Sequence, residues 1–136
     1  MNKYRRTFIL LFLLVLAVFA SCDDKKTNGS GFLKGTISIG PLCPVERIPP
    51  DPACSPTAET YKAYQVDVYS SDGVNKVAEL NPSLDGSFLT GLPAGNYKIN
   101  LEKGILSIGG SNLPLEITIE SNDTILINIE IDTGIR

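Results

Sequence analysis

Residues 85–99 read DGSFLTGLPAGNYKI. Two alternating runs flank a break. Phe88, Thr90 and Leu92 share one face of the first run, and Tyr97, Ile99 and Leu101 share one face of the second. A period of two belongs to an extended strand, so both runs read as half-buried strands. Pro93 and Gly95 punctuate the connection between them. Asp85-Gly86 opens the stretch as a tight turn, because glycine tolerates the positive φ such turns require.

The same period extends outward in both directions. FLKGTISIG at 32–40 places Leu33, Gly35, Ile37 and Ile39 together. AYQVDVYS at 63–70 sets Tyr64, Val66 and Val68 against Gln65, Asp67 and Tyr69. NKVAEL at 75–80 is a weaker run. LPLEITIE at 113–120 groups Leu115, Ile117 and Ile119. TILINIEID at 124–132 is the clearest, with Ile125, Ile127, Ile129 and Ile131 opposed to Asn128, Glu130 and Asp132. SSDG at 70–73, SLDG at 83–86 and ESNDT at 120–124 separate the runs. Beyond Cys22 no segment carries helical periodicity of useful length. Seven short strands with frequent turns predict an all-β domain, an antiparallel seven-stranded β-sandwich of Ig-like architecture.

The opening stretch also resembles the signature of carboxypeptidase regulatory-like and transthyretin-like domains, in which a DG-x-F turn and an L-P-A-G-x-Y connection join two strands of a sandwich. Asp85, Gly86, Phe88, Leu92, Pro93, Gly95 and Tyr97 occupy those places. The resemblance covers residues 31–136 and implies a sandwich used mostly as an accessory module. A tyrosine at such a corner, here Tyr97, can bury its ring and return its hydroxyl to the backbone. The motif speaks to fold rather than function.

One connection breaks the pattern of short turns. GPLCPVERIPPDPACSPTAETY at 40–61 separates the first two strands and contains Pro41, Pro44, Pro49, Pro50, Pro52 and Pro56. So many prolines cannot pair as a central strand. Cys43 and Cys54 stand toward its two ends, and in an oxidising compartment they read as a disulfide. Glu46, Arg47, Ile48 and Asp51 are the loop's candidate binding residues, since a stapled loop at the end of a sandwich is a common place for recognition.

The compartment is read from the other end of the chain. MNKYRR is basic through Lys3, Arg5 and Arg6, and TFILLFLLVLAVFA follows it. The apolar run is shorter than the roughly 20 residues of a spanning helix. Basic head, short apolar middle and small Ala20 and Ser21 make residues 1–21 a secretory signal. Phe19-Ala20-Ser21-Cys22 resembles the lipobox of bacterial lipoproteins, with Phe where leucine is commoner. That resemblance implies cleavage before Cys22 and a covalent lipid on its sulfur, the only cofactor-like group expected. Residues 22–30 are then a polar tether, and 31–136 the domain. Asp23 and Asp24 resemble retention signals in some bacterial lineages and surface-export signals in others, so the membrane and face stay open.

Functional classes narrow accordingly. Loss of the signal removes three basic residues and no acidic ones, leaving an acidic chain unsuited to nucleic acid. The sequence has no histidine, which removes most catalytic triads and most metal centres. Carboxylates fall at turns and on outward strand positions. The Asp-Gly turns lack the ligand density of a calcium loop. Lys34 and Asn128, on the first and last strands, lie opposite the apolar faces and should meet solvent rather than form an isopeptide bond. Tyr61 and Tyr69 are expected at the surface, where tyrosines could stack on sugar. The reading is a lipid-anchored, extracytoplasmic module of the cell envelope, non-catalytic, with a protein or polysaccharide partner. A carbohydrate-binding or adhesion component is the alternative, and a small extracytoplasmic enzyme stands third.

Overall fold

The structure is a computed structural model and describes residues 29–45, 48–49, 51–102 and 108–136. The signal, Cys22 and most of the tether lie outside the described residues, as do Glu46 and Arg47. Eight strands follow in order: β1 Ser30–Gly40, β2 Val66–Ser70, β3 Lys76–Glu79, β4 Ser87–Pro93, β5 Gly95–Leu101, β6 Gly110–Ser111, β7 Leu115–Ile119 and β8 Thr124–Asp132. A helix, α1, spans Ala58–Ala63. The strands form two four-stranded sheets, ordered β4-β1-β8-β6 and β3-β2-β5-β7.

Three sequence expectations change. The strand count is eight, because β6 has only two residues and so carries no periodicity. A helix is present where none was expected. α1 has six residues, too few for the apolar stripe to repeat. It is fixed by its cap instead: Thr57 accepts from the Thr60 amide while Thr60 accepts from the Thr57 amide. The sandwich is also not purely antiparallel. β1 and β8 pair in parallel from Phe32↔Thr124 to Gly40↔Asp132. Alternation reports which face a residue occupies and is blind to strand direction, so this pairing leaves no trace in the pattern.

The core lies between the sheets. Leu33, Ile37 and Ile39 of β1, Phe88 and Leu92 of β4, and Ile129 and Ile131 of β8 meet Val66, Val68, Ile99, Leu101 and Ile119 from the other sheet. These are the inward sets read from the sequence. Tyr61 of α1 joins the same core. Beyond β8, the Thr133 amide donates to the Gly40 carbonyl at 3.2 Å and its hydroxyl to the Pro41 carbonyl, closing the far end of the parallel pair.

β1 is one of the two inner strands of its sheet, with β4 on one side and β8 on the other. Gly35 stands at the tightest point: a Cβ there would collide with the Ile127 carbonyl and lie 3.1 Å from the Phe88 ring. Overpacking at such a point costs about 2 kcal/mol. Gly35→Ala is therefore expected to lower the urea midpoint clearly, and an unchanged midpoint contradicts this close approach.

Candidate functional site

The long connection between β1 and α1 is stapled by a Cys43–Cys54 disulfide, with Cα atoms 5.5 Å apart. Inside it, Asp51 Oδ1 accepts from the Ala53 amide at 2.9 Å and caps the single 3-10 turn Pro52–Cys54. Asp51 thus holds its own loop rather than reaching outward. Ile48 is fully exposed, and Val45, three residues earlier, is exposed as well. The loop displays apolar side chains, consistent with a contact surface.

Both tyrosines expected at the surface are buried. Tyr61 is 7% exposed and Tyr69 5%. The capped helix turns Tyr61 inward, and burial, with the Asp85 charge second, raises its hydroxyl pKa. Tyr69 shares the outward face of β2 with Asp67, yet Asp67 is 0% exposed. Lys76 explains part of this. The β2–β3 hairpin pairs Tyr69 with Lys76 and Asp67 with Glu79 across an irregularity in register. Lys76 Nζ lies 2.9 Å from Asp67 Oδ2 and 3.4 Å from Glu79. The Tyr69 hydroxyl donates to the same Asp67 oxygen at 3.4 Å, while Asp67 Oδ1 is buried without a hydrogen-bond partner.

The sequence placed this carboxylate in solvent because it sits on the outward register. A usable signal was present: an acid inside VDVY, followed across SSDG by Lys76 at hairpin spacing. The hydrogen bond that Lys76 donates to Asp67, aided by nearby acidic charge, raises the Lys76 pKa above its ordinary value. A protonated amine is neither base nor nucleophile, so the cluster is suited to holding the hairpin rather than to proton transfer.

Both Asp-Gly stretches are turns, but of the two only SSDG closes a hairpin: SLDG carries the chain from β3 to β4, which lie in different sheets. Gly73 and Gly86 have φ of 72° and 82°. Asp72 Oδ1 accepts from the Val74 amide at 2.9 Å, and Asp85 Oδ1 from the Ser87 amide at 3.0 Å and its hydroxyl at 2.7 Å. The Ser87 hydroxyl and amide hold the Asp85 carboxyl below its ordinary range. Among the described residues, no three histidine, cysteine or acidic side chains gather to hold a metal ion. Tyr97 makes the corner contact, donating its hydroxyl to the Pro93 carbonyl at 2.8 Å. Lys34 and Asn128 are both exposed and two positions out of register, and Asn128 accepts from the Thr36 hydroxyl.

The described surface includes two shallow concavities. One, of about 310 Å³, is lined by Ser71, Asn96, Tyr97, Glu116, Ile117 and Thr118. The other, of about 370 Å³, lies along the far ends of β1 and β8, beside Glu130 and Asp132. Asp132 is already bound by Arg136, at 3.1 Å and 2.7 Å, and by the Gly134 amide. Arg136 is the larger cause of its lowered pKa. Among the described residues no helix is long and apolar enough to cross a membrane.

No family model matches this chain, and no curated protein matches it. The resemblance to carboxypeptidase regulatory-like and transthyretin-like domains therefore rests on residues 85–99 alone. Several solved structures are similar. A DUF3823 family protein from Parabacteroides merdae is 16% identical, with 76% of this chain and 46% of that one covered and a TM-score of 0.45. GBS52, the minor pilin of Streptococcus agalactiae, is 16% identical over 76% and 44%, with a TM-score of 0.46. BcpA, the major pilin subunit of Bacillus cereus, is 11% identical over 76% and 28%, with a TM-score of 0.45. This chain spans less than half the length of each. The likeness is too weak to carry a function from them to this chain.

Two outcomes are expected from the site. Closing the Cys43–Cys54 loop stabilises by about 3 kcal/mol in the chain-entropy account. Reduction should therefore lower the melting temperature by several degrees, and an unchanged melting temperature shows that the staple contributes nothing. Lys76→Met should lower the melting temperature at pH 7 by leaving Asp67 buried and unpaired. A raised lysine pKa contributes stability that is full below the ordinary value of about 10.4 and is lost as pH rises through the folded value. The gap between wild type and variant should therefore close above that range, and a gap constant through alkaline pH contradicts the pairing.

Proposed function

We propose that this chain is a non-catalytic module of the cell envelope, held by a lipid on Cys22, that works by displaying its sandwich and stapled loop to a partner. The observation that carries this reading is the use already made of the polar groups. Asp51, Asp72, Asp85, Asp132 and Asp67 each satisfy the chain's own turns, loop or hairpin. Nothing comparable occupies Ile48, which stands fully exposed on a covalently tied loop. Display of apolar side chains on a loop closed by a disulfide suits binding, because part of the ordering cost is met before the partner arrives.

The sugar-platform version loses its basis, since Tyr61 and Tyr69 belong to the folded interior. The enzyme version gains little from the concavity beside Glu130 and Asp132, where Asp132 is already held by Arg136 and the Gly134 amide. Lipid attachment is supported by the Phe19–Cys22 motif at the end of the apolar run.

Membrane fractionation tests the anchor. Wild type should sediment with membranes and Cys22→Ser should move to the soluble extracytoplasmic fraction. Retention of the variant on membranes overturns lipidation at Cys22. Binding through the loop is checked by crosslinking on cells: Ile48→Asp should abolish a crosslinked species that wild type forms, and an unaltered pattern removes the loop from the reading.

A further inference from the structure

The outward face of the β4-β1-β8-β6 sheet is divided along its length. The registers place side chains in rows across it. Pro93 faces Ser30, Gly91 faces Phe32, and Phe32 in turn faces Thr124. Leu89, Lys34 and Leu126 form the next row. Ser87, Thr36 and Asn128 follow, then Ser38 with Glu130. Phe32, Leu89 and Leu126 are 49%, 63% and 72% exposed. Three large apolar side chains thus surround one lysine at one end of the face, and the other end is polar. Single exposed apolar residues are ordinary, but a contiguous set on one face is not.

The apolar end is the end at which the chain enters β1. Seven residues, Asp23 to Gly29, separate Cys22 from the strand. Seven residues span at most about 25 Å when fully extended. A lipid on Cys22 would therefore hold this end of the sheet within reach of the bilayer.

We infer that the Phe32–Leu89–Leu126 face rests on the bilayer that holds Cys22. This inference rests on the lipid-anchor reading. Phe32, Leu89 and Leu126 enter the boundary between headgroups and acyl chains, and the Lys34 stem lies among them with its ammonium among headgroup phosphates. Glu120 and Asp123 flank the same end, in the turn between β7 and β8. The contact is therefore chiefly apolar, needs no anionic lipid and withstands salt. The opposite sheet, with its Lys98–Glu116 and Lys76–Asp67 ion pairs, then faces away from the membrane.

The test uses the lipidated full chain in phosphatidylcholine vesicles. A bimane label is placed at Leu126→Cys, or at Glu116→Cys on the opposite sheet, and quenched by doxyl-labelled phosphatidylcholine. Quenching at position 126 about threefold or more above position 116, retained in high salt, is expected. Equal quenching at both positions in protein that floats with the vesicles overturns the resting face while leaving the anchor intact. Failure to float overturns the anchor and the inference together. Concentration-dependent shielding of position 126 from iodide in the Cys22→Ser chain without lipid assigns the face to a second copy and overturns it equally.

Discussion

The parallel pairing of β1 with β8 is the constraint on which this domain depends. It joins the first strand to the last, so every intervening element lies within the closure it makes. Strands β2 to β7 form a single long crossover, and the entropy of closing it is met only by contacts formed late in the sequence. Gly35 permits the approach, and Thr133 extends it past the end of both strands. Asn112 protects the exposed side of β8. Its side chain donates to the Asn128 carbonyl at 2.9 Å and accepts from the Glu130 amide at 3.0 Å, doing the work of a neighbouring strand where β6 has ended.

With the sandwich closed, its two outer faces differ in kind. The β3-β2-β5-β7 face is tied together by side-chain pairs: Lys76 with Asp67 and Glu79, Lys98 with Glu116, and Thr118 with Asn96. The β4-β1-β8-β6 face carries large apolar side chains at one end and short polar ones at the other. Exposed surface ion pairs contribute little to stability. Asp67 is the exception, because its carboxylate is taken out of water and depends on Lys76 for compensation. The stapled loop and α1 sit outside this frame and fix one corner of it, with Tyr61 as the point of attachment to the core.

Much of this was legible in the residues. The inward sets of β1, β4, β5 and β8, both Asp-Gly turns, the Tyr97 corner and the Cys43–Cys54 staple follow from periodicity, turn chemistry and compartment. What escaped did so for physical reasons. Strand direction is invisible to alternation, so the parallel pair could not be seen. β6 and α1 are too short for any period. Tyr61 stands at the end of the long connection, where no period marks the helix that buries it, and Tyr69 and Asp67 are put in solvent by a rule that treats the far face of a strand as wet. That rule fails where a hairpin register carries a long lysine side chain over a carboxylate. The site was less legible than the fold, since display of Ile48 and the division of the β4-β1-β8-β6 face depend on neighbours distant in sequence.

If this sandwich is an anchored envelope module, its amino terminus carries the lipid. Intact mass spectrometry of the full-length chain, purified from membranes in detergent, should give a protein beginning at Cys22, heavier than its sequence by a diacylglyceryl group and lighter by the two hydrogens of the Cys43–Cys54 disulfide. A chain that retains Met1, or one that begins at Cys22 without added lipid, contradicts the account.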